Sequence, residues 1–154
     1  MTHALAMTLH ILSAVVWVGG MFFAYMALRP VAASQLEPPQ RLQLWVGVFA
    51  RFFPWVWASI IALVASGFWI ILNVYTSMNA SPLFVHIMLG LGILMILIFM
   101  HVFFAPYRRL KQAVNAQDWP TAGSKLAQIR ILIAINLALG LTVVVIASAG
   151  RLLA

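Results

Sequence analysis

Histidine is the residue type with the widest range of possible chemistry inside the apolar parts of this sequence. The four histidines are His3, His10, His86 and His101, whereas there is no cysteine and the two carboxylates, Glu37 and Asp118, lie outside the apolar segments. An ionisable side chain within a membrane span is costly unless it has a partner, so it is a functional-site hypothesis by default. The sequence therefore directs attention to what His10 and His86 pair with.

His10 and His86 form the first candidate site, because the segments that carry them start on the same side of the predicted bundle. Two imidazoles that face each other across helices are the ligands of a six-coordinate b-type haem. We expect Trp17 and Gly90 to line such a site, since Gly90 follows His86 by one turn and leaves room for a porphyrin edge. Arg151, near the outer end of the fourth segment, would neutralise a haem propionate.

Copper is the competing interpretation. Met7 and His10 are three residues apart on one helical face, and Met100 directly precedes His101; a thioether with an imidazole suits Cu(I). His3 is expected at the membrane surface, although it would replace His10 as a haem ligand if the helix begins deeper. Methionine is also a common filler of apolar cores, so a third interpretation gives all these side chains packing roles in a structural subunit of a membrane complex.

Composition indicates that these residues lie on membrane-spanning helices. The 154 residues are 65% hydrophobic and 7% charged, whereas soluble domains average roughly 25% charged residues. We predict an all-α integral membrane protein, a four-helix bundle that forms one domain over residues 1–154. Each apolar segment approaches or exceeds the ~20 residues that cross a bilayer; the segments cover residues 3–28, 44–74, 82–105 and 129–150.

The connections are predicted from prolines and charges. Residues 29–43 contain three prolines and are predicted to be an irregular turn, with residues 44–53 at headgroup level and a kink at Pro54. Asp118, Trp119 and Pro120 indicate a helix start.

Orientation follows from the basic residues. Eight of the nine lie in or beside the first and third connections, and Arg151 is the other. The positive-inside rule places those connections in the cytoplasm and both termini on the periplasmic side. This topology explains the net charge of +7 without a nucleic-acid partner.

Three stretches resemble CopD-domain membrane proteins, named after copper resistance protein D. They are LHILSAVVWVGGMFFAYMALRP at residues 9–30, residues 81–109 with Val85-His86-Ile87 and His101-x-x-x-x-Pro106-Tyr107-Arg108-Arg109, and residues 140–151. The resemblance implies a four-helix bundle in the bacterial inner membrane that handles copper.

The first helix is also similar to that of HemJ-type protoporphyrinogen oxidases, with Leu9, His10, Trp17 and Gly20 at the matching positions. That likeness implies b haem bound through histidine. It also leaves open a haem-dependent oxidoreductase activity.

We therefore predict a multi-pass inner-membrane protein that binds haem b through His10 and His86 for electron transfer. The alternative is a CopD-like copper protein that uses histidine and methionine, with His3, His101 and Met7 as further ligands. Expected partners are the lipid bilayer, a quinone or another redox partner, and a second copy or the other subunits of a complex.

Overall fold

The computed structural model describes residues 1–153, with side chains through Gly150, and this part of the chain is helical apart from short connections. Helix α1 (Thr2–Phe23) continues through a π-helical segment (Ala24–Leu28) into α2 (Arg29–Gln35). The remaining helices are α3 (Pro38–Val74), α4 (Leu83–Phe104), α5 (Pro106–Asn115) and α6 (Trp119–Leu153).

Four helical stretches are long and apolar enough to cross a membrane, and they are Thr2–Gln35, Pro38–Val74, Leu83–Asn115 and Trp119–Gly150. The predicted all-α bundle of four spans is thereby confirmed.

The two ends of the bundle differ in their connections. The basic end contains the α2–α3 and α5–α6 connections, and the terminal end contains the N-terminus and the α3–α4 connection. Large apolar side chains cover the outside of the spans, where they contact lipid.

The predicted irregular turn over residues 29–43 is wrong, because most of it is helical. Pro30 lies in the first turn of α2, and Pro38 and Pro39 lie in the first turn of α3. A first-turn residue needs no amide hydrogen for the helix, and the fixed φ of proline suits that position. Pro38 and Pro39 therefore begin α3, whereas Pro30 lies where the π-helical segment passes into α2. Leu36 and Glu37 separate α2 from α3.

Helix α3 runs without interruption through Pro54. Its 37 residues correspond to about 55 Å at the usual rise, which is more than a bilayer thickness. The predicted start of this helix at residue 44 was therefore too late, and its first turns extend beyond the membrane at the basic end.

The predicted helix start at Asp118 is confirmed, since α6 begins at Trp119 and the Asp118 carboxylate accepts a hydrogen bond from the Thr121 N–H at 3.2 Å. Just before it, α5 ends in a Schellman motif. The Asp118 N–H donates to the Ala113 carbonyl and the Gln117 N–H to the Val114 carbonyl. Gln117 has a φ of 57°, a left-handed conformation that usually favours glycine.

An aromatic core fills the basic half of the bundle. Phe53 lies at its centre, with its ring centroid 4.8 Å from that of Tyr107, 5.1 Å from that of Phe49 and 5.3 Å from that of Phe99. Most of these pairs meet edge to face, which is a favoured arrangement of aromatic rings. The aromatic core consists of Phe49, Phe53, Trp57, Phe99, Phe103 and Tyr107.

The helices associate as two closely packed pairs. Helix α1 packs mainly on α3, whereas α4 packs mainly on α6. Glycines permit close approach within and between the pairs. A Cβ at Gly20 on α1 would overlap the ring of Phe52 on α3, and one at Gly140 on α6 would lie 2.9 Å from a Val18 methyl on α1. The α1–α3 pair carries His10, so its terminal half is where the predicted site can be tested.

Candidate functional site

His10 on α1 faces α3. Its Nδ1 lies 2.9 Å from the Ser66 Oγ, and a Cβ added to Gly67 would lie 3.3 Å from its Cε1. The small residues at 66 and 67 on α3 therefore make the space into which this imidazole fits. This bond links two spans in the membrane interior, where few other polar groups compete for it.

The hydrogen bonds of Ser66 decide the tautomer of His10. Ser66 donates its hydroxyl hydrogen back to the Ala62 carbonyl at 2.5 Å. A serine hydroxyl has one hydrogen to donate, and we assign it to the short contact with Ala62; the oxygen then accepts from His10, whose Nδ1 carries the proton. The neutral ring then has a lone pair on Nε2, which is the atom that a histidine fixed through Nδ1 offers to a metal.

Two further side chains extend the contact towards the terminal end. His3 is exposed and stacks on Trp69, with ring centroids 6.4 Å apart and planes at 28°. Met7 is half-buried and lies between the two histidines on the same face of α1. We call this contact the histidine seam; it consists of His3, Met7 and His10 on α1 and Ser66 and Trp69 on α3.

The structure does not bring His86 to His10. His86 is exposed on α4, and its Nδ1 lies 3.2 Å from the carbonyl of Pro82 in the same segment. Gly90 is also exposed, and a Cβ there would meet nothing within 4 Å. Because α1 packs on α3 and α4 packs on α6, matched depth along the membrane normal did not make these histidines neighbours.

The other predicted site residues are also dispersed. Trp17 is 3% exposed and meets Phe99 edge to face at 6.2 Å, so it contacts the aromatic core and lies two turns from His10. His101 is exposed in the last turn of α4. The side chain of Arg151 lies outside the described residues, and the prediction that it neutralises a propionate remains a prediction.

Metal ligands of the usual hard or borderline types do not cluster here: the described residues contain no group of three or more histidine, cysteine, aspartate or glutamate side chains that could hold an ion. The seam combines imidazole with thioether instead. That donor set is soft and uncharged, which suits a monovalent soft cation such as Cu(I) better than Zn²⁺ or Mg²⁺.

Comparison with protein families matches residues 46–149 to CopD, copper resistance protein D. The chain belongs to the CopD family. The predicted resemblance to this family is thereby confirmed, and the chain is a multi-pass membrane protein.

The family match covers only part of the histidine seam. It begins at residue 46, so it includes Ser66 and Trp69 but not α1 with His3, Met7 and His10. The similarity to HemJ-type oxidases finds no support. Neither the curated proteins nor the solved structures gave a significant match.

Sequence reasoning missed Ser66 as the partner of His10. A signal was present, since Ser66 and Gly67 form a small, polar interruption in the apolar run of the second span. Such residues permit close helix approach and interhelical hydrogen bonds. Which of the serines in that span meets His10 depends on the register of α1 against α3, and the sequence does not contain that register.

Proposed function

We propose that this protein handles copper in the bacterial inner membrane, and that the histidine seam binds Cu(I) as cargo. The observation that carries the proposal is the hydrogen bond from His10 Nδ1 to Ser66, which leaves Nε2 as the ligand atom. Met7, one turn away on the same face, supplies the thioether. Membership of the CopD family supports copper as the metal.

His3 is a third ligand in this proposal. It follows the same face of α1 one turn beyond Met7, nearer the membrane surface, and is exposed. The positive-inside rule places the basic end in the cytoplasm and therefore the seam on the periplasmic side. His3 would then meet copper first, and His10 would hold it within the membrane between α1 and α3.

The haem interpretation has less support. It requires two imidazoles on opposite sides of one planar group, and the structure turns His10 towards α3 while His86 remains exposed on α4. The family match concerns copper rather than haem. An absorbance spectrum nevertheless separates the two interpretations directly.

The experiment is Cu(I) binding by the purified protein in detergent under reducing conditions, measured by competition with a chromogenic Cu(I) chelator. We expect a stoichiometric site whose affinity falls at least tenfold in His10→Ala and in Met7→Leu. Ser66→Ala removes the partner of Nδ1, and loss of such a supporting hydrogen bond typically weakens a metal site by about 10–100-fold. His86→Ala is the matched control and should bind copper as the wild type does.

Two outcomes would overturn the proposal. One is copper binding that His10→Ala leaves unchanged. The other is a Soret band in the protein as purified that both His10→Ala and His86→Ala abolish, because that result would assign His10 to a haem.

A further inference from the structure

Asn136 is a polar side chain in the middle of α6 that the histidine seam does not use. It is 3% exposed, and its amide nitrogen donates to the Met95 carbonyl on α4 at 3.4 Å. A carbonyl oxygen only accepts hydrogen bonds, so the amide must turn its nitrogen towards Met95 and its oxygen away. That oxygen, Oδ1, is buried and has no hydrogen-bond partner among the described residues.

A small cavity adjoins this side chain. Its volume is about 20 Å³, and its lining comes from all four spans, including Trp17 and Met21 of α1, Val56 of α3, Phe99 of α4 and Asn136 of α6. A cavity needs roughly 10–15 Å³ to hold one water molecule. Of its lining side chains, Asn136 and Trp17 are the two that contain nitrogen or oxygen.

Buried serines lie between the histidine seam and this cavity. Ser13 follows His10 by one turn on α1, and Ser59 precedes Ser66 by two turns on α3; they are 6% and 5% exposed. Both helices therefore carry a hydroxyl on the route from the terminal end towards Asn136. The interior of the α1–α3 contact is accordingly more polar than the outside of the bundle.

We propose that the cavity beside Asn136 is a binding site for one water molecule. The water donates to Asn136 Oδ1 and takes the Trp17 indole N–H as its second partner. A buried polar atom in an apolar surrounding is unfavourable without a hydrogen bond, and buried waters typically supply such bonds. The site lies near the middle of the membrane and is separate from the proposed copper site.

A cation is the alternative occupant, and the surroundings disfavour it. The two carboxylates of the sequence, Glu37 and Asp118, lie in the connections at the basic end. A cation beside Asn136 would therefore lose its hydration without meeting an opposite charge, and the penalty for that is severe in a membrane interior. A neutral water molecule does not incur this penalty.

The test is radiolytic hydroxyl-radical labelling of the full-length protein in detergent and in lipid nanodiscs, read by mass spectrometry. Radicals formed from a bound water oxidise the side chains beside it. Met21 lines the cavity and Met95 does not, yet they are 3% and 4% exposed, so Met95 is an internal control of equal burial. We expect Met21 to be oxidised at least threefold faster than Met95 in the wild type.

Asn136→Leu replaces the amide by an apolar side chain of similar size and should reduce the Met21 rate to that of Met95. Equal rates for the two methionines in the wild type would overturn the proposal, and that comparison requires no variant to fold. Persistence of the Met21 signal in a folded Asn136→Leu protein would also overturn it. Suppression of the wild-type signal by added Cu(I), Na⁺ or K⁺ would assign the cavity to a cation instead.

Discussion

The basic half and the terminal half of this bundle are held together by different interactions. In the basic half, aromatic rings from α3, α4 and α5 contact one another around Phe53. In the terminal half, α1 meets α3 through a hydrogen bond at His10 and a ring stack at His3. The buried side chains of α4 are Met95, Phe99 and Val102, all from its basic half.

This difference would allow the proposed copper site to be kept apart from the interactions that stabilise the bundle. Lipid tails are as apolar as leucine, so helix association in a bilayer depends on close packing and interhelical hydrogen bonds rather than on the hydrophobic effect. The aromatic core supplies the packing. If the histidine seam binds copper as proposed, the aromatic core would hold the helices together without the His10 Nε2.

The largest effect is expected from the centre of the aromatic core. Phe53→Ala removes four ring contacts and leaves a void in a 3% exposed position, so the free energy of unfolding should fall by about 3 kcal/mol or more. Phe68 is on the same helix but 49% exposed to lipid, and Phe68→Ala should change it by less than about 0.5 kcal/mol. Unfolding in mixed micelles, followed by circular dichroism, measures both; similar losses in the two variants would refute a localised core.

Two glycines test the close approach between the helix pairs. A Cβ at Gly140 would lie 2.9 Å from Val18 and 3.2 Å from Met95, whereas one at Gly92 would meet nothing within 4 Å. Gly140→Ala should therefore destabilise the protein by about 1–2 kcal/mol. Gly92→Ala should stabilise it by about 0.5 kcal/mol, because alanine is the better helix former. The same unfolding assay measures both variants. The predicted packing is contradicted if the two changes in the free energy of unfolding have the same sign.

The hydrogen bond in the histidine seam should contribute less than the core. A double-mutant cycle with His10→Ala and Ser66→Ala is expected to give a coupling free energy of about 1 kcal/mol, which is typical of one intramolecular hydrogen bond. Both single variants should fold. A coupling free energy near zero would mean that the two side chains do not interact, and the proposed tautomer of His10 would lose its basis.

The smallest effect is expected at the basic end, where Asp118 precedes α6. The side chain and the backbone N–H of Thr121 hold the pKa of this carboxyl below its usual range. The ionised form therefore stabilises the fold at neutral pH, and the contribution is lost as the pH falls through the lowered pKa. Asp118→Ala should melt slightly below the wild type at pH 7, and the difference should narrow on acidification. Asp118→Asn retains an acceptor for the cap, so its melting temperature should vary less with pH than that of the wild type.

The family match covers the two sides of the histidine seam unequally. It begins at residue 46 and so includes the aromatic core and the α3 side of the seam. It does not include α1, and the assignment of copper to His10 therefore depends on the geometry of α1 against α3. The copper-binding experiment with His10→Ala is for that reason the decisive test of the proposed function.

Much of the fold could be predicted from the sequence. Three predictions are confirmed because each depends on local composition or a local motif. They are the four apolar segments, the capping residue Asp118 and the CopD resemblance. The connection at residues 29–43 was read incorrectly, since a proline that begins a helix and a proline that lies in a turn look alike without their hydrogen bonds. The candidate site could be predicted only in part. His10 was identified by its residue type, but its partner Ser66 was not.

What the sequence by itself determined is the membrane character and the number of spans, because both follow from the hydropathy and the length of each apolar segment. Only the tertiary structure decided the neighbours in the plane of the membrane. Rotation and register of each helix follow from packing across the bundle, at positions such as Gly20 against Phe52 and Gly140 against Val18. That packing placed His10 against Ser66 rather than His86, and it placed the Asn136 side chain beside a cavity of about 20 Å³.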